Sequence, residues 1–586
     1  MLIDDGLLEH EDGRIVAATE LSTIVVPPTI TALLGARLDA LTSGERAVLE
    51  RASVVGQEFS RGAVRELAPE SEPGTTDEHL NSIVRKGLVR PHRSSLQGED
   101  AFSFRHMLIR DAAYDAMSKA LRAELHERFA TWLERIAGDR IAEQEEILGY
   151  HLERAYRLRG ELGPVGELGL ELASAASSRL RSAARRALGR GDPQAGLNLA
   201  ERADTLLPTD HPERSHTLRT LLRALDGTAD PERKLRLDDE ALDVARAGGD
   251  RVLEHWVRAE LVSDLMRTKP HDADLTEAFQ TTTEAARVIE SHGDAEDQAR
   301  VLLHLATLQW TFGEMEDMLV TSERALEIAV DSPGPDALDA ITYVWVGTFE
   351  GATRASVALE LLREIEGRCA AFPLRAAVAR AQVALALACL GREDEARATY
   401  DAARVVFEDA ADPWVSLRSQ ATEGLIELLA GDIERTEPIF REIVRGFMDL
   451  GTPTNAALLA CRWGAALADL GRYQEALAVA DEFIALAGSW DLEPKIELGA
   501  VRARALAGTG AVGEAVDAIV QIEAMVRPTG FVFNLGDVML AKTEVFRTAG
   551  RLEDAARAAR EALEIFRSKE FAMYTDRARR LLAEIA

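Results

Sequence analysis

The residue types that carry chemistry are thinly spread along this chain. His106 and Arg110, in FRHMLIRDAAY, stand four residues apart and share one face of a helix. They form either a working pair or a helix-start histidine packed beneath a hairpin, with its arginine one turn on. All twelve histidines lie at or before His304, and the three cysteines, Cys369, Cys389 and Cys461, all lie after it. A mixed Cys/His zinc site is therefore not expected, and neither a CxxC nor an HExxH occurs. Phosphate cradling needs a Gly-Lys-Ser/Thr run, yet no lysine here follows a glycine. A GxSxG elbow and a strand-borne GxGxxG loop are missing too. Acidic runs such as Glu393–Asp394–Glu395 and Glu145–Glu146 read as solvated helix faces, and Cys389 and Cys461 as buried, inert thiols. No catalytic residue, metal ligand or cofactor is expected.

The elements that would position such residues are helices in a repeat. Glycines that follow one Ala/Leu-rich helix and precede another stand at Gly313, Gly351, Gly391, Gly431, Gly471, Gly510 and Gly550, spaced 38, 40, 40, 40, 39 and 40 residues apart. Each unit reads as two helices joined by a turn, with glycine supplying the left-handed conformation that ends the first helix. Five residues after four of these glycines come Ala396, Ala476, Ala515 and Ala555, small enough for close packing of the second helix on the first. Gly424 and Gly464 lie seven residues before their turn glycines, on the same face, and allow the same approach from the other side. In ALADLGRYQEALAVADEFIAL, residues Gly471, Tyr473, Ala476, Ala480 and Phe483, with Gly464 before them, resemble the tetratricopeptide repeat, although the period is near 40 rather than 34 residues. ARRALGRGDPQAGLNLAERADTLLP, around Gly191, reads as an earlier and more degenerate unit, and residues 214–300 keep helical periodicity without the repeat motif.

The front end differs in texture. TITALLGARLDAL reads as a helix, GERAVLERASVV as a second capped by Thr42 or Ser43, RGAVRELA as a third capped by Ser60, and TDEHLNSIVRKGLV as a fourth. LVRPHRSSLQGEDAFSFRH reads as a β-hairpin, and HMLIRDAAYDAMSKALRAELHERFATWLERIA as one long exit helix. The fold expected is all-α: a winged-helix-like domain with exit helix at 29–137, degenerate helical repeats at 138–300, and tetratricopeptide-like repeats forming an α-solenoid at 301–586.

VPPTITALLGARLDAL, ERAVLERASVVGQEFSRGAVRELAP, FSFRHMLIRDAAYDAM, LRAELHERFATWLE and EEILGYHLERAYRLRGELGP resemble the C-terminal portion of bacterial signal-transduction (STAND) ATPases fused to class III adenylate/guanylate cyclase domains. The resemblance is tight over about residues 1–165 and covers the remainder only as a repeat type. It implies that MLIDDGLLEHEDGRIV, within residues 1–28, is the helix and strand of an ATPase lid, and that the phosphate-binding half and the cyclase domain are not in this chain. It also implies that His106 and Arg110 could lie near a nucleotide supplied by a partner domain. On this reading residues 1–28 are a poorly anchored remnant, trimmed by limited proteolysis before the repeats.

Composition narrows the function classes. The chain has 586 residues, 68 basic against 99 acidic, and a net charge of −31, which repels phosphate backbones. Residues 29–137 hold about 15 basic and 16 acidic residues, no excess for a recognition helix. No run of 18 apolar residues suits a membrane span, and the acidic N-terminus is unlike a signal peptide. The expectation is a cytoplasmic, non-catalytic regulatory module. Its repeat groove would bind a protein or peptide, and its front domain would dock on a nucleotide-binding ATPase domain. The alternatives are a DNA-binding regulator using the winged helix, and a part of a cyclase/ATPase whose catalytic domains lie upstream.

Overall fold

Thr42 closes the first turn of the helix Ser43–Val55 in a capping box: its hydroxyl accepts from Glu45 N, and Glu45 Oε2 accepts from Thr42 N at 2.8 Å. That start belongs to a computed structural model that describes residues 8–11, 14–17, 37–68, 75–93, 99–226, 230–268, 274–332, 334–410, 412–487 and 491–585. The chain forms two compact units, Met1–Leu180 and Arg181–Ala586.

In the first unit, the strand Glu58–Ser60 and the short helix Arg61–Glu66 follow, with Ser60 accepting from Ala63 N as the cap. The helix Thr76–Arg85 leads into strands Val89–His92 and Ala101–Phe104. Ala101–Phe104 is the central strand of an antiparallel sheet, flanked by the other two. The hairpin was legible in the sequence; the third strand was not. It is three residues long, and it is fixed by Phe59 stacking on Phe102, with ring centroids 5.9 Å apart. Val48, Leu49, Phe59, Leu80, Ile83, Phe102, Phe104 and Ile109 fill the core beneath.

Two expectations are corrected here. The single exit helix is two, Met107–Asp115 and Lys119–Ala137, because Ser118 turns extended and its hydroxyl accepts from Leu121 N, starting a new helix. Within 1–28, residues Leu8–Glu11 and Arg14–Ala17 pair as two antiparallel strands rather than a helix and a strand. The rest of that segment, and most of TITALLGARLDAL, lies outside the described residues.

A buried polar chain links the helices Lys119–Ala137 and Glu145–Gly160. Arg154 donates to the Tyr114 hydroxyl (3.3 Å), which meets His126 Nε2 (2.8 Å), while His126 Nδ1 meets His151 Nδ1 (2.8 Å). A nitrogen-to-nitrogen hydrogen bond between two imidazoles needs at least one neutral ring, and here both are held neutral. Burial is the main cause, aided by nearby arginines, and pushes His126 down to about 2 and His151 to about 3 from 6.5.

The second unit is a stack of helix hairpins. From Pro373 onward the first helices are Pro373–Cys389, Pro413–Leu429, Pro453–Asp469, Leu492–Gly508, Val532–Thr548 and Ala572–Ile585. Proline opens three of them, where its missing N–H leaves no bond unmade. The hairpins continue back through 214–332, including Arg214–Leu225 with Pro231–Gly248, and Arg251–Thr268 with Leu275–His292. The array winds until distant parts touch: Gly530 N donates to Gly313 O at 2.7 Å, and Ser356 N to Glu570 Oε2 at 2.9 Å. As a result the first helices are buried on most sides, as Leu374–Cys389 and Glu493–Leu498 show.

The neutral histidines give a testable acid sensitivity. Their folded values lie below the unfolded 6.5, so their contribution is complete above pH 6.5 and is lost as pH falls towards about 3. At pH 5 each imidazole should cost roughly 2 kcal/mol relative to pH 7. Protection factors of the helix Lys119–Ala137 in the whole chain, which are free of the intrinsic pH dependence of exchange, should fall accordingly, and the fall should be largely lost in an H126Q/H151Q variant. Protection factors unchanged between pH 7 and 5 would contradict two buried, neutral imidazoles.

Candidate functional site

The first helices of the hairpins carry their charged residues inward, where the array closes. Arg462, on Pro453–Asp469, lies with Nη2 2.8 Å from Glu497 Oε1 and 3.6 Å from Glu350 Oε1, its guanidinium 5.2 Å from the Phe533 ring centre. Asn534 Nδ2 donates to the same Glu497 oxygen at 2.9 Å. Glu350, Glu493 and Glu497 come together as a buried trio. Burial, reinforced by the charge of Glu497, pushes Glu350 up to about 8, and burial also raises Glu493 and Glu497.

Farther along the seam a closed ring forms. Asp469 meets Arg504 and Arg577, and Glu544 meets the same two, at 2.7 Å from each. Burial would raise Asp469, but the two guanidiniums outweigh it and hold the carboxyl at about 2; Glu544 is lowered for the same reason. At the end of the helix Leu552–Lys569, the buried Lys569 donates to the carbonyls of Thr348, Gly351 and Thr353, which terminate a helix 218 residues away at Gly351. Burial lowers this ammonium to about 8.

A second polar cluster lies in the 214–300 region. Lys234, 2% exposed, meets Glu260 at 3.1 Å and Asp264 at 2.8 Å, while Arg300 Nε and His304 Nε2 reach Glu260 Oε1 at 2.6 and 2.7 Å. Burial raises Asp238 to about 9. A cavity of about 20 Å³, the size of one water, adjoins Asp226, Lys234 and Thr452.

The residues singled out from sequence fall as follows. Gly313, Gly391, Gly431, Gly471, Gly510 and Gly550 have φ between 72° and 94°. Gly313 also admits the neighbouring turn of the array: a Cβ there would stand 2.8 Å from Thr529 Cβ. Gly351 departs from the left-handed expectation. Its φ is −75° with extended ψ, because the next helix starts only at Ala355 and the Gly351 carbonyl turns to Lys569. Ala396, Ala476, Ala515 and Ala555 are fully buried. A Cβ on Gly424 would stand 3.0 Å from Ile439 and Phe440, and one on Gly464 3.0 Å from Val501. Tyr473 is half-buried, its ring under Gly508. His106 caps the helix Met107–Asp115 without a side-chain cap bond and is exposed, so it does not pack under the hairpin. Arg110 instead donates to Ser53 O at 3.1 Å and lies over the Tyr114 ring. The pair serves separate contacts. All three cysteines are buried free thiols raised by burial.

The inner charges went unread in the sequence because each is an ordinary helix residue locally. Glu493 and Glu497, at i and i+4, were the available signal. Repeat counting would have placed Arg462, Arg504 and Arg577 on inner helices.

Neither the protein-family models nor the curated proteins give a match to this chain. Solved structures do give likenesses. A Rap protein complexed with competence and sporulation factor is 14% identical over 70% of this chain and 100% of that one, with a TM-score of 0.38. A STAND protein with a tetratricopeptide repeat sensor from Pyrococcus horikoshii is 15% identical over 72% of this chain, with a TM-score of 0.34; the chain spans 65% of its length. Yeast Tom70 is 13% identical over 76% of this chain and 96% of that one, at 0.30. At these TM-scores the likenesses carry no argument; the all-α, tetratricopeptide-like solenoid rests on the hairpins themselves. No helix among the described residues is long and apolar enough to cross a membrane.

The Asp469 ring can be tested by one isosteric change. D469N leaves two half-buried guanidiniums facing one carboxylate, which should cost roughly 2–3 kcal/mol in urea unfolding. E564Q, at an exposed position, should stay within about 0.5 kcal/mol. Because Asp469 titrates below its unfolded value, its contribution is present above about pH 3.8 and fades as pH falls through about 2. Equal midpoints for D469N and E564Q would remove the ring as a structural element.

Proposed function

We propose that this chain is a non-catalytic scaffold whose helical array binds protein or peptide partners in signal transduction. The observation that carries the reading is the seam of guanidinium and carboxylate groups along the inner helices, from Arg462 and Glu497 to Arg504, Asp469, Arg577 and Glu544. An inner face lined only by leucines would bind without discrimination. Fixed charges at defined positions read a partner's sequence by complementarity. A ligand reaches the seam when the contact between Gly313 and Gly530 and the Lys569 bonds part.

The front unit supports the finer reading. Its order of helix, strand, two helices and hairpin on a three-stranded sheet suits a winged helix. In this proposal it docks on the nucleotide-binding domain of a STAND-type ATPase, in a system that includes a cyclase, and works in the cytoplasm. His106, exposed at its helix start, is the residue nearest that docking chemistry.

Peptides enriched from a display library on the full chain should bind with 1:1 stoichiometry at micromolar Kd. They should also change hydrogen exchange in Pro453–Asp469, Leu492–Gly508 and Val532–Thr548. A chain that binds no peptide but hydrolyses ATP unaided, or retards duplex DNA at physiological salt, would refute the reading.

A further inference from the structure

Three acids meet where the array closes, and their countercharge is short. Glu493 and Glu497 stand one turn apart on Leu492–Gly508, and Glu350 is the last residue of Asp336–Glu350. One ligand atom from each lies within 4.8 Å of the other two, and all three side chains are buried. The guanidinium of Arg462 is divided between Glu497 and Glu350. Glu350 also occupies the negative end of its helix dipole, where a carboxylate is disfavoured without a cation beside it. Lys569 is directed to the carbonyls of that helix end.

Asn534 supplies a second and independent pointer. It is completely buried on a different helix, and its Nδ2 bond to Glu497 holds the amide against the trio. Its carbonyl oxygen Oδ1 meets no donor among the described residues, and neither do Glu350 Oε2 and Glu497 Oε2. The carbonyl oxygen of an amide hydrogen-bonded to Glu497, together with two carboxylate oxygens, all buried and all lacking a donor among the described residues, makes a donor set for a hard cation. Unmet buried oxygens would otherwise be a considerable cost.

We propose that Glu350, Glu493, Glu497 and Asn534 bind one hard divalent cation of calcium size, which staples three inner helices together. The set is all oxygen, which selects Ca²⁺ or Mn²⁺ over thiophilic metals. Mg²⁺ is disfavoured because it keeps several waters and this enclosed position offers protein ligands instead. The helices joined are 143 and 184 residues away from Glu350 at Glu493 and Asn534 in sequence, so the ion would fix closure of the array rather than any one hairpin. This inference stands whether or not the array binds peptides.

The test uses the full chain, stripped with EDTA and desalted, titrated separately with CaCl2, MnCl2 and MgCl2 by calorimetry. One site per chain is expected for Ca²⁺ or Mn²⁺, at least tenfold tighter than for Mg²⁺. E493Q and E350Q, checked for fold by circular dichroism, should each weaken binding at least tenfold, while E564Q should not. In the wild-type chain Ca²⁺ should slow exchange at 347–351, 493–499 and 532–538, which keeps the test decisive even if a variant fails to fold. The absence of saturable binding, affinity unchanged in both variants, or protection confined to other segments would overturn the proposal.

Discussion

Charge inside the helical array has to be matched, and that constraint governs the second unit. An array of hairpins that stayed open would leave its inner arginines and glutamates in water at no cost. This one winds until Gly313 touches Gly530 and Lys569 reaches the end of a helix at Gly351. Closure takes Arg462 out of water and half-buries Arg504, Arg577, Asp469 and Glu544, so each finds its partner on another helix. An unpaired buried ion costs several kcal/mol, more than any single hairpin contact returns.

Hydrophobic packing cannot set this geometry alone. The inner helices are rich in alanine, and alanine surfaces slide past one another with little change in buried area. Arg462 is different, because it touches Glu497 on the next hairpin and Glu350 three hairpins back. Arg577 likewise joins Asp469 and Glu544. Shifting one helix by a turn would break both arms of such a contact at once. The ion pairs add little net stability, yet they leave one register in which the array can close.

The repeat was legible because its glycines act locally. A residue held at φ near 75° is glycine in most cases, so Gly391, Gly431, Gly471 and Gly550 mark the period directly, while Glu570, at φ 61°, ends its helix in the same region without being glycine. Gly351 shows the limit of that logic: a glycine at the right spacing adopts another conformation because a lysine from a distant repeat takes its carbonyl. The region 214–300 was hard to read for a related reason. Its interior positions hold Arg219, Arg223, Lys234, Asp238 and Glu260 in place of alanine, so the small-residue motif is gone while the hairpins persist. In the front unit the caps at Thr42 and Ser60 were visible, being two- or three-residue interactions, and the strand Glu58–Ser60 was not, since only its pairing with Ala101–Phe104 makes it one.

The histidine pair and the acid trio share a further property that no local pattern reveals. His126 and His151 are 25 residues apart and reach each other's Nδ1 only because two helices pack closely. Glu350 and Glu493 are farther apart still. Apart from the i, i+4 spacing of Glu493 and Glu497, each of these residues is ordinary in type and spacing within its own helix. Their chemistry comes from desolvation, which turns a titratable surface group into one with a fixed protonation state or an unmet charge. A sequence reports which groups are present; the winding of the array decides which of them lose water, and hence which can do anything a surface residue cannot.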